Sequence, residues 1–142
     1  MNIFQTISTE LKYIKFAFQL VKRAGRVDNY PMETVADLIE DQVKKNENKT
    51  AIEFEDKKYT YKELDEEANK VAHWAISKGF KKGDVVSLLM ENRPEFIFIW
   101  YGFAKIGGTV ACLNSNIKSK ALAHCIQTSK SKSIIVGSEL ID

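Results

Sequence analysis

The stretch Gly83–Leu113, GDVVSLLMENRPEFIFIWYGFAKIGGTVACL, decides how this chain folds. Its two ends, Val85 to Met90 and Thr109 to Leu113, are short apolar runs of strand length with helix-length sequence between them. A run of this kind offers water no polar face, which is the pattern of a strand covered on both sides in a parallel sheet. Pro94 stands where the connecting helix begins, because a missing N–H costs nothing in a first helical turn, and Gly107-Gly108 close that helix. A third run, Ser133 to Val136, follows a second helical segment at about Lys118 to Thr128. This alternation predicts an α/β fold with a parallel βαβαβ unit.

Upstream the periodicity is helical and then briefly alternating. A helix near Glu33 to Lys45 is expected to bury Val35, Leu38, Ile39 and Val43, and its closing lysines suit the negative end of a helix. Ala51, Ile52 and Phe54 form one strand of a hairpin, Glu55 to Lys58 the turn, and Tyr59 to Tyr61 the return strand. Thr60 and Glu63 have the spacing of a capping box, in which hydroxyl and carboxylate each satisfy a free backbone N–H. The helix behind them is expected to bury Leu64, Ala68, Val71, Ala72, Ala75 and Ile76 and to stop at Gly79. In the first 26 residues Ile3, Ile7, Leu11, Ile14, Phe18 and Val21 recur every three or four positions, which reads as an amphipathic helix. Gly25 and the Asp28-Asn29-Tyr30-Pro31 run end it, so residues 1–28 form a leader and linker and residues 29–142 the body.

Composition bounds what such a chain does. With 142 residues, 44% hydrophobic and 28% charged, it is long enough to bury a core without disulfides or metal. Two cysteines without CxxC spacing fit a reducing compartment and imply no metal site. The longest apolar run, Phe96 to Ala104, falls well short of the roughly 18 residues a spanning helix needs, and no secretory signal pattern is present. Lys12, Lys15, Lys22, Arg23 and Arg26 against Glu10 give residues 1–26 a net charge of +4, whereas the rest of the chain carries −2. A basic amphipathic leader suits an anionic membrane surface, and no helix-turn-helix or RNA-binding signature supports a nucleic-acid partner.

Ligands of open α/β sheets bind beyond the carboxyl ends of the strands. Asn92 and Arg93 follow the first strand there, and Asn114, Ser115 and Asn116 the second. These residues would line an anion or carboxamide pocket, or else cap the turns and helices that follow. Neighbouring His124 and Cys125 point about 100° apart on a helix and do not share a proton. His73 has no metal-ligand partner four residues on, and Asp65, Glu66 and Glu67 fan around a solvated first helical turn. Phe96, Phe98, Trp100, Tyr101 and Phe103 crowd one helix that is apolar nearly all round, as buried helices are. With no GxGxxG, GxxxxGK or GxSxG motif, no catalytic, cofactor-binding or metal residue is assigned. The run Ile134-Ile135-Val136 is apolar on both faces with six residues after it, so the sheet is expected to be completed by a partner chain or by more of a longer protein.

Five motifs stand in a telling order: Thr60-Tyr61-Lys62-Glu63-Leu64, Gly83-Asp84-Val85-Val86, Glu91 to Phe96, Ala104-Lys105-Ile106-Gly107 and Leu113-Asn114. They resemble the start of the large domain of adenylate-forming acyl-CoA synthetases. Trp100 to Lys105, Leu113 to Ile117 and Leu122 to Cys125 are similar to the fatty acid transport protein, or very long-chain acyl-CoA synthetase, family. The resemblance covers about residues 24–142, and the basic leader is in keeping with that family's membrane-proximal segment.

The resemblance implies a two-step ligase: ATP and a long-chain fatty acid give an acyl-adenylate and pyrophosphate, and coenzyme A then displaces AMP. It implies ATP, Mg²⁺ and CoA as cofactors of the full-length enzyme, with the phosphate loop, ribose-binding acid, hinge and catalytic lysine all after Asp142. The chain is therefore expected to be the incomplete front part of a ligase domain, inactive alone and without the N-terminal spanning segment of many members. Attachment through residues 1–26 to the cytosolic face of endoplasmic reticulum, peroxisome or plasma membrane is expected. A non-catalytic membrane-surface or interaction module is the alternative, resting on the leader and the open sheet edge.

Overall fold

A computed structural model of the chain describes residues 11–22 and 33–141. It divides into two compact units, Met1–Thr34 and Val35–Asp142. In the first, residues 11–22 are helical (α1) and exposed throughout. Lys12, Lys15, Gln19 and Lys22 follow helical spacing along one stripe, and Leu11, Tyr13, Ile14, Phe16, Phe18, Leu20 and Val21 cover the remaining circumference. The expected helix end at Gly25 and the Asp28 to Pro31 junction lie outside the described residues.

The second unit runs α2 (Val35–Asn46), β1 (Thr50–Phe54), β2 (Lys57–Thr60), α3 (Tyr61–Ser77), β3 (Val85–Leu89), α4 (Pro94–Lys105), β4 (Thr109–Leu113), α5 (Ser119–Ser129) and β5 (Ser133–Val136), then a short 3₁₀ turn, Ser138–Leu140. The predicted βαβαβ is present. Strand order is β4-β3-β5, both neighbours parallel to β3, and Leu89 stands level with Leu113 and Val136. The three strands therefore finish flush, which brings their carboxyl-end loops side by side.

Capping follows the sequence closely. Thr60 Oγ1 accepts from the Glu63 N–H (3.2 Å), and the Glu63 carboxylate accepts from the Thr60 N–H (2.7 Å). At the other end of α3, Phe80 N–H donates to Ala75 O (3.0 Å) and Gly79 N–H to Ile76 O (2.9 Å). That is a Schellman ending, with Gly79 left-handed at φ 78. Its hydrophobic member, Phe80, goes into the core edge-on to Phe103, ring centroids 5.0 Å apart.

Two packed clusters hold the body. Ala36, Leu64, Ala68, Phe98 and Tyr101 join α2, α3, α4 and the hairpin, while Ala75, Phe80, Val86 and Phe103 join α3 and α4 to the sheet. Full burial of side chains such as Phe103, Leu88 and Val86 contributes roughly 1.5–3 kcal/mol each. The buried Ser87 of the central strand is the polar exception. Its hydroxyl meets Ser129 (3.0 Å) and Ser131 (2.8 Å), which ties the end of α5 to the sheet.

Four details correct the reading from sequence. The hairpin turn is only Glu55-Asp56, because Lys57 already pairs with Phe54 and Lys58 with Glu53. Helix α2 faces inward through Ala36 and Ile39, leaving Val35 and Leu38 each 41% exposed, since the crowded aromatic face of α4 accepts the smaller residue. Ile76 is exposed, because the line from Leu64 through Ala68, Ala72 and Ala75 already fills the inward stripe of α3. Asp65 does not belong to a solvated triplet with Glu66 and Glu67.

Asp65 accepts from Lys105 Nζ (2.7 Å), from the Tyr101 hydroxyl (2.8 Å) and from Asn69 Nδ2 (2.9 Å), and Lys105 also reaches Glu40 (2.9 Å). Partial burial pushes the Asp65 carboxyl up, but these donors outweigh it and hold it below its ordinary 3.8. Burial, and then the bond to Asp65, pushes the Tyr101 phenol up to about 12. Burial would lower the Lys105 ammonium, yet its bonds to Asp65, Glu40 and Tyr101 leave it above its usual value. A depressed carboxyl stabilises the fold above its unfolded pKa and loses that contribution as pH falls through the folded one.

Gly102 sits where α4 crosses α3, and a Cβ there would lie 2.7 Å from both Ala68 O and Val71 Cβ. Gly102→Ala is expected to lower unfolding free energy in urea by about 2–3 kcal/mol. Asp65→Asn is expected to cost about 2 kcal/mol at pH 7. In denaturant titrations at several pH values its gap from wild type should close as pH falls below 3.8.

Candidate functional site

The level ends of β3 and β4 open onto a cleft of about 650 Å³. Asn92, Asn114, Ser115 and Asn116 make its exposed lining mainly polar, and Met90, Phe96 and Leu113 contribute the apolar part. The two loops singled out in the sequence thus meet, because parallel register delivers both from the same edge. Arg93 is the exception and does not line this cleft. Glu91 and Cys112 complete the walls, so the lining carries one carboxylate and no cation.

The rim residues differ in what already occupies them. Asn114 Oδ1 accepts from the Asn116 N–H (2.9 Å) and Ile117 N–H donates to Asn114 O (3.2 Å), so the turn-forming reading of Asn114 holds. Asn92 and Asn116 are exposed, and no protein group among the described residues bonds their carboxamides. Each therefore offers both a donor and an acceptor to a ligand.

Arg93 turns towards carboxylates instead. Its Nη1 lies 3.4 Å from Glu139 and its Nε 3.7 Å from Glu95, and that Nε is buried without a hydrogen-bond partner. Glu139 also accepts from the Glu91 N–H (2.9 Å), and this bond, with further help from Arg93, holds its carboxyl below the usual range. Arg93 and Glu139 so pin the loop after β5 beside the loop after β3, a role that nothing in the local sequence signals. A smaller apolar groove of about 200 Å³, walled by Ile52, Phe54, Pro94 and Ile97, has Arg93 in its lining and shares Asn92 and Phe96 with the cleft.

The remaining candidates stay apart. His124 is exposed and Cys125 half-buried on α5, and His73 is exposed on α3. Burial pushes the Cys112 thiol up, which leaves little thiolate at neutral pH. Among the described residues no three His, Cys, Asp or Glu side chains gather as a metal site would require.

Comparison with known proteins places this geometry. The family model described as AMP-binding enzyme matches residues 39–142. Long-chain fatty acid transport protein 6 of Mus musculus is 36% identical over 132 residues, covering 92% of this chain and 21% of that protein. Crotonobetaine/carnitine–CoA ligase of Citrobacter koseri is 36% identical over 97 residues, covering 65% of this chain and 19% of that protein. The crystal structure of the anthranilate CoA ligase AuaEII in complex with anthranoyl-AMP superposes with a TM-score of 0.72 at 25% identity, over 77% of this chain and 22% of that one. The chain spans about one fifth of the length of the curated relatives it matches. A parallel sheet with flush carboxyl ends, preceded by a capped helix and hairpin, is the front of an adenylate-forming ligase fold, and the chain belongs to the AMP-binding enzyme family.

Proposed function

We propose that this chain is the N-terminal part of a long-chain or very long-chain fatty acid–CoA ligase. The observation that carries the reading is its 36% identity, across 92% of its length, with a long-chain fatty acid transport protein. The AMP-binding family implies use of ATP. In this reading the whole protein converts a fatty acid and ATP to an acyl-adenylate and pyrophosphate, and then exchanges AMP for coenzyme A.

The residues described here do not fit the triphosphate or Mg²⁺. The cleft offers neutral amides, a hydroxyl and the Glu91 carboxylate, and a polyphosphate calls for cations or a nest of free N–H groups. No chemical step is therefore assigned to residues 33–141. Their part is positional: the cleft presents Asn92 and Asn116 to the oxygens or amide groups of a bound reactant. Catalytic groups then come from the rest of the ligase, and the 142 residues alone do not complete the reaction.

The leader gives the same protein its place. Helix α1 exposes Phe16, Phe18 and Val21 at 59%, 72% and 70%, and the only charges among residues 11–22 are three lysines. Apolar surface flanking a stripe of three lysines suits the interface of an anionic bilayer on the cytosolic side of endoplasmic reticulum, peroxisome or plasma membrane. No helix among the described residues is long and apolar enough to cross one. A non-catalytic membrane-surface module would keep this helix and dispense with the ligase.

An antibody raised to residues 57–82 should detect a native product several times larger than 16.2 kDa. That product should form fatty acyl-CoA only with ATP, releasing pyrophosphate. A folded protein of that size inactive on every long-chain acid tested would sink the ligase reading. In the active protein, Asn92→Ala with Asn116→Ala should lower kcat/KM about three- to tenfold with little change in Tm, the loss of neutral hydrogen bonds at an exposed rim. Deleting residues 1–30 should abolish sedimentation with anionic vesicles, and unchanged binding would remove α1 from the account.

A further inference from the structure

The end of the sheet opposite the cleft carries an unusual concentration of lysine. Three loops meet there: residues 78–84 before β3, residues 106–108 before β4 and residues 130–132 before β5. They are stitched together by backbone bonds. Gly83 N–H donates to Gly107 O (2.9 Å), Thr109 N–H to Asp84 O (2.9 Å) and Lys132 N–H to Val85 O (2.8 Å). Lys132 Nζ crosses between loops to Gly79 O (2.6 Å) and Asp84 Oδ2 (3.1 Å). The result is a firm platform and not a set of independent tips.

Its charge is one-sided. Lys78, Lys81, Lys82, Lys130 and Lys132 stand against Asp84 alone, a net +4, and Lys132 already neutralises that acid. Lys78, Lys81, Lys82 and Lys130 are exposed, and none has a carboxylate within ion-pair distance among the described residues. Lys130 even holds a left-handed helix-cap conformation, φ 51, that glycine adopts at lower cost. The cleft end is balanced instead, with Glu91, Glu95 and Glu139 against Arg93, Lys118 and Lys120. The two ends are separated by the length of a five-residue strand, about 17 Å.

We propose that this lysine edge is a docking surface for anionic lipid headgroups, and that it seats the body on the bilayer with the cleft opening away from it. Lipid is the occupant because the same chain carries α1, whose apolar circumference and lysine stripe have the chemistry of an interfacial helix. The proposal rests in this respect on the membrane reading of α1. Stable attachment to a membrane surface takes two signals, commonly an apolar insertion and a polybasic patch. Helix α1 supplies the first, and the edge adds the second on a separate unit of the chain. The orientation follows from the excess of lysine at this edge over the balanced charge of the cleft end.

The test uses the full chain and vesicles of phosphatidylcholine with or without about 30% phosphatidylserine, sedimented at roughly 0.05 M and 0.5 M salt. One variant combines Lys78→Gln, Lys81→Gln, Lys82→Gln and Lys130→Gln. Its control removes equal charge elsewhere on the body with Lys44→Gln, Lys49→Gln, Lys57→Gln and Lys62→Gln. A third carries Ile14→Ser and Phe18→Ser in α1. The edge variant should lose about tenfold or more in partitioning to anionic vesicles at low salt, and the control under about twofold. Equal losses in both would reduce the effect to net charge and overturn the edge. Loss only in the α1 variant would also overturn it while leaving the helix reading intact. Loss only in the edge variant would uphold the edge and end the role of α1. A chain that binds no anionic vesicle ends both, and an edge variant that loses affinity for single-stranded RNA but not for vesicles reassigns the edge to nucleic acid. Lys81→Gln with Lys82→Gln alone, checked by circular dichroism, should show an intermediate loss.

Discussion

The close approach of α4 to α3 at Gly102 is the constraint on which the rest of the body depends. With no side chain at that position, the α4 backbone comes against Ala68 O and Val71, where any Cβ would collide. That contact sets the crossing of the two helices. It places Tyr101 and Phe98 in one cluster and Phe103 in the other, so that α4 faces α2 and the hairpin on one side and the sheet on the other. Asp65 and Lys105 become neighbours only because the crossing brings the second turn of α3 to the last turn of α4. Since α4 begins at Pro94 directly after the cleft loop, the same crossing fixes where Asn92 and Phe96 stand.

The buried polar groups add specificity to this packing. A carboxylate held by an ammonium, a phenol and a carboxamide is directional, whereas Leu and Ala contacts tolerate some sliding. The Ser87, Ser129 and Ser131 hydroxyls act likewise between α5 and the central strand. Neither group lines the cleft between the β3 and β4 loops, although Asp65 and Lys105 border a separate hollow beside α2. Both hold fixed the two crossover helices that any ligand-binding loop at the carboxyl end relies upon.

The two ends of the sheet have different chemistry for a reason of topology. Parallel strands put every loop after a strand at one edge and every loop before a strand at the other. Carboxamides and carboxylates with a matching number of cations collect at the first edge, and an excess of lysine at the second.

Local features were legible in the sequence because they are decided by local physics. The capping box at Thr60, the Schellman glycine at Gly79, Pro94 at a helix start and the apolar runs of β3, β4 and β5 all depend on residues within a few positions of one another. The ordered motifs likewise named the family. The polar loops of the cleft were visible too, since strand direction dictates that they share an edge. Which face of α2 turned inward, whether Ile76 found cover and what Asp65 bonded were not visible, because each depends on a helix far off in the sequence. Arg93 could not be parted from Asn92 by reading, as its partner Glu139 lies 48 residues from Glu91, to which that same carboxylate is bonded. The lysines of the far edge were five unremarked charges until the sheet gathered three loops. Periodicity and caps are written within a single turn or strand, and so the sequence by itself determined the elements and their order. Crossing angles, ion pairs between elements and the sorting of charge to opposite ends arise from how those elements pack, and only the tertiary structure decided them.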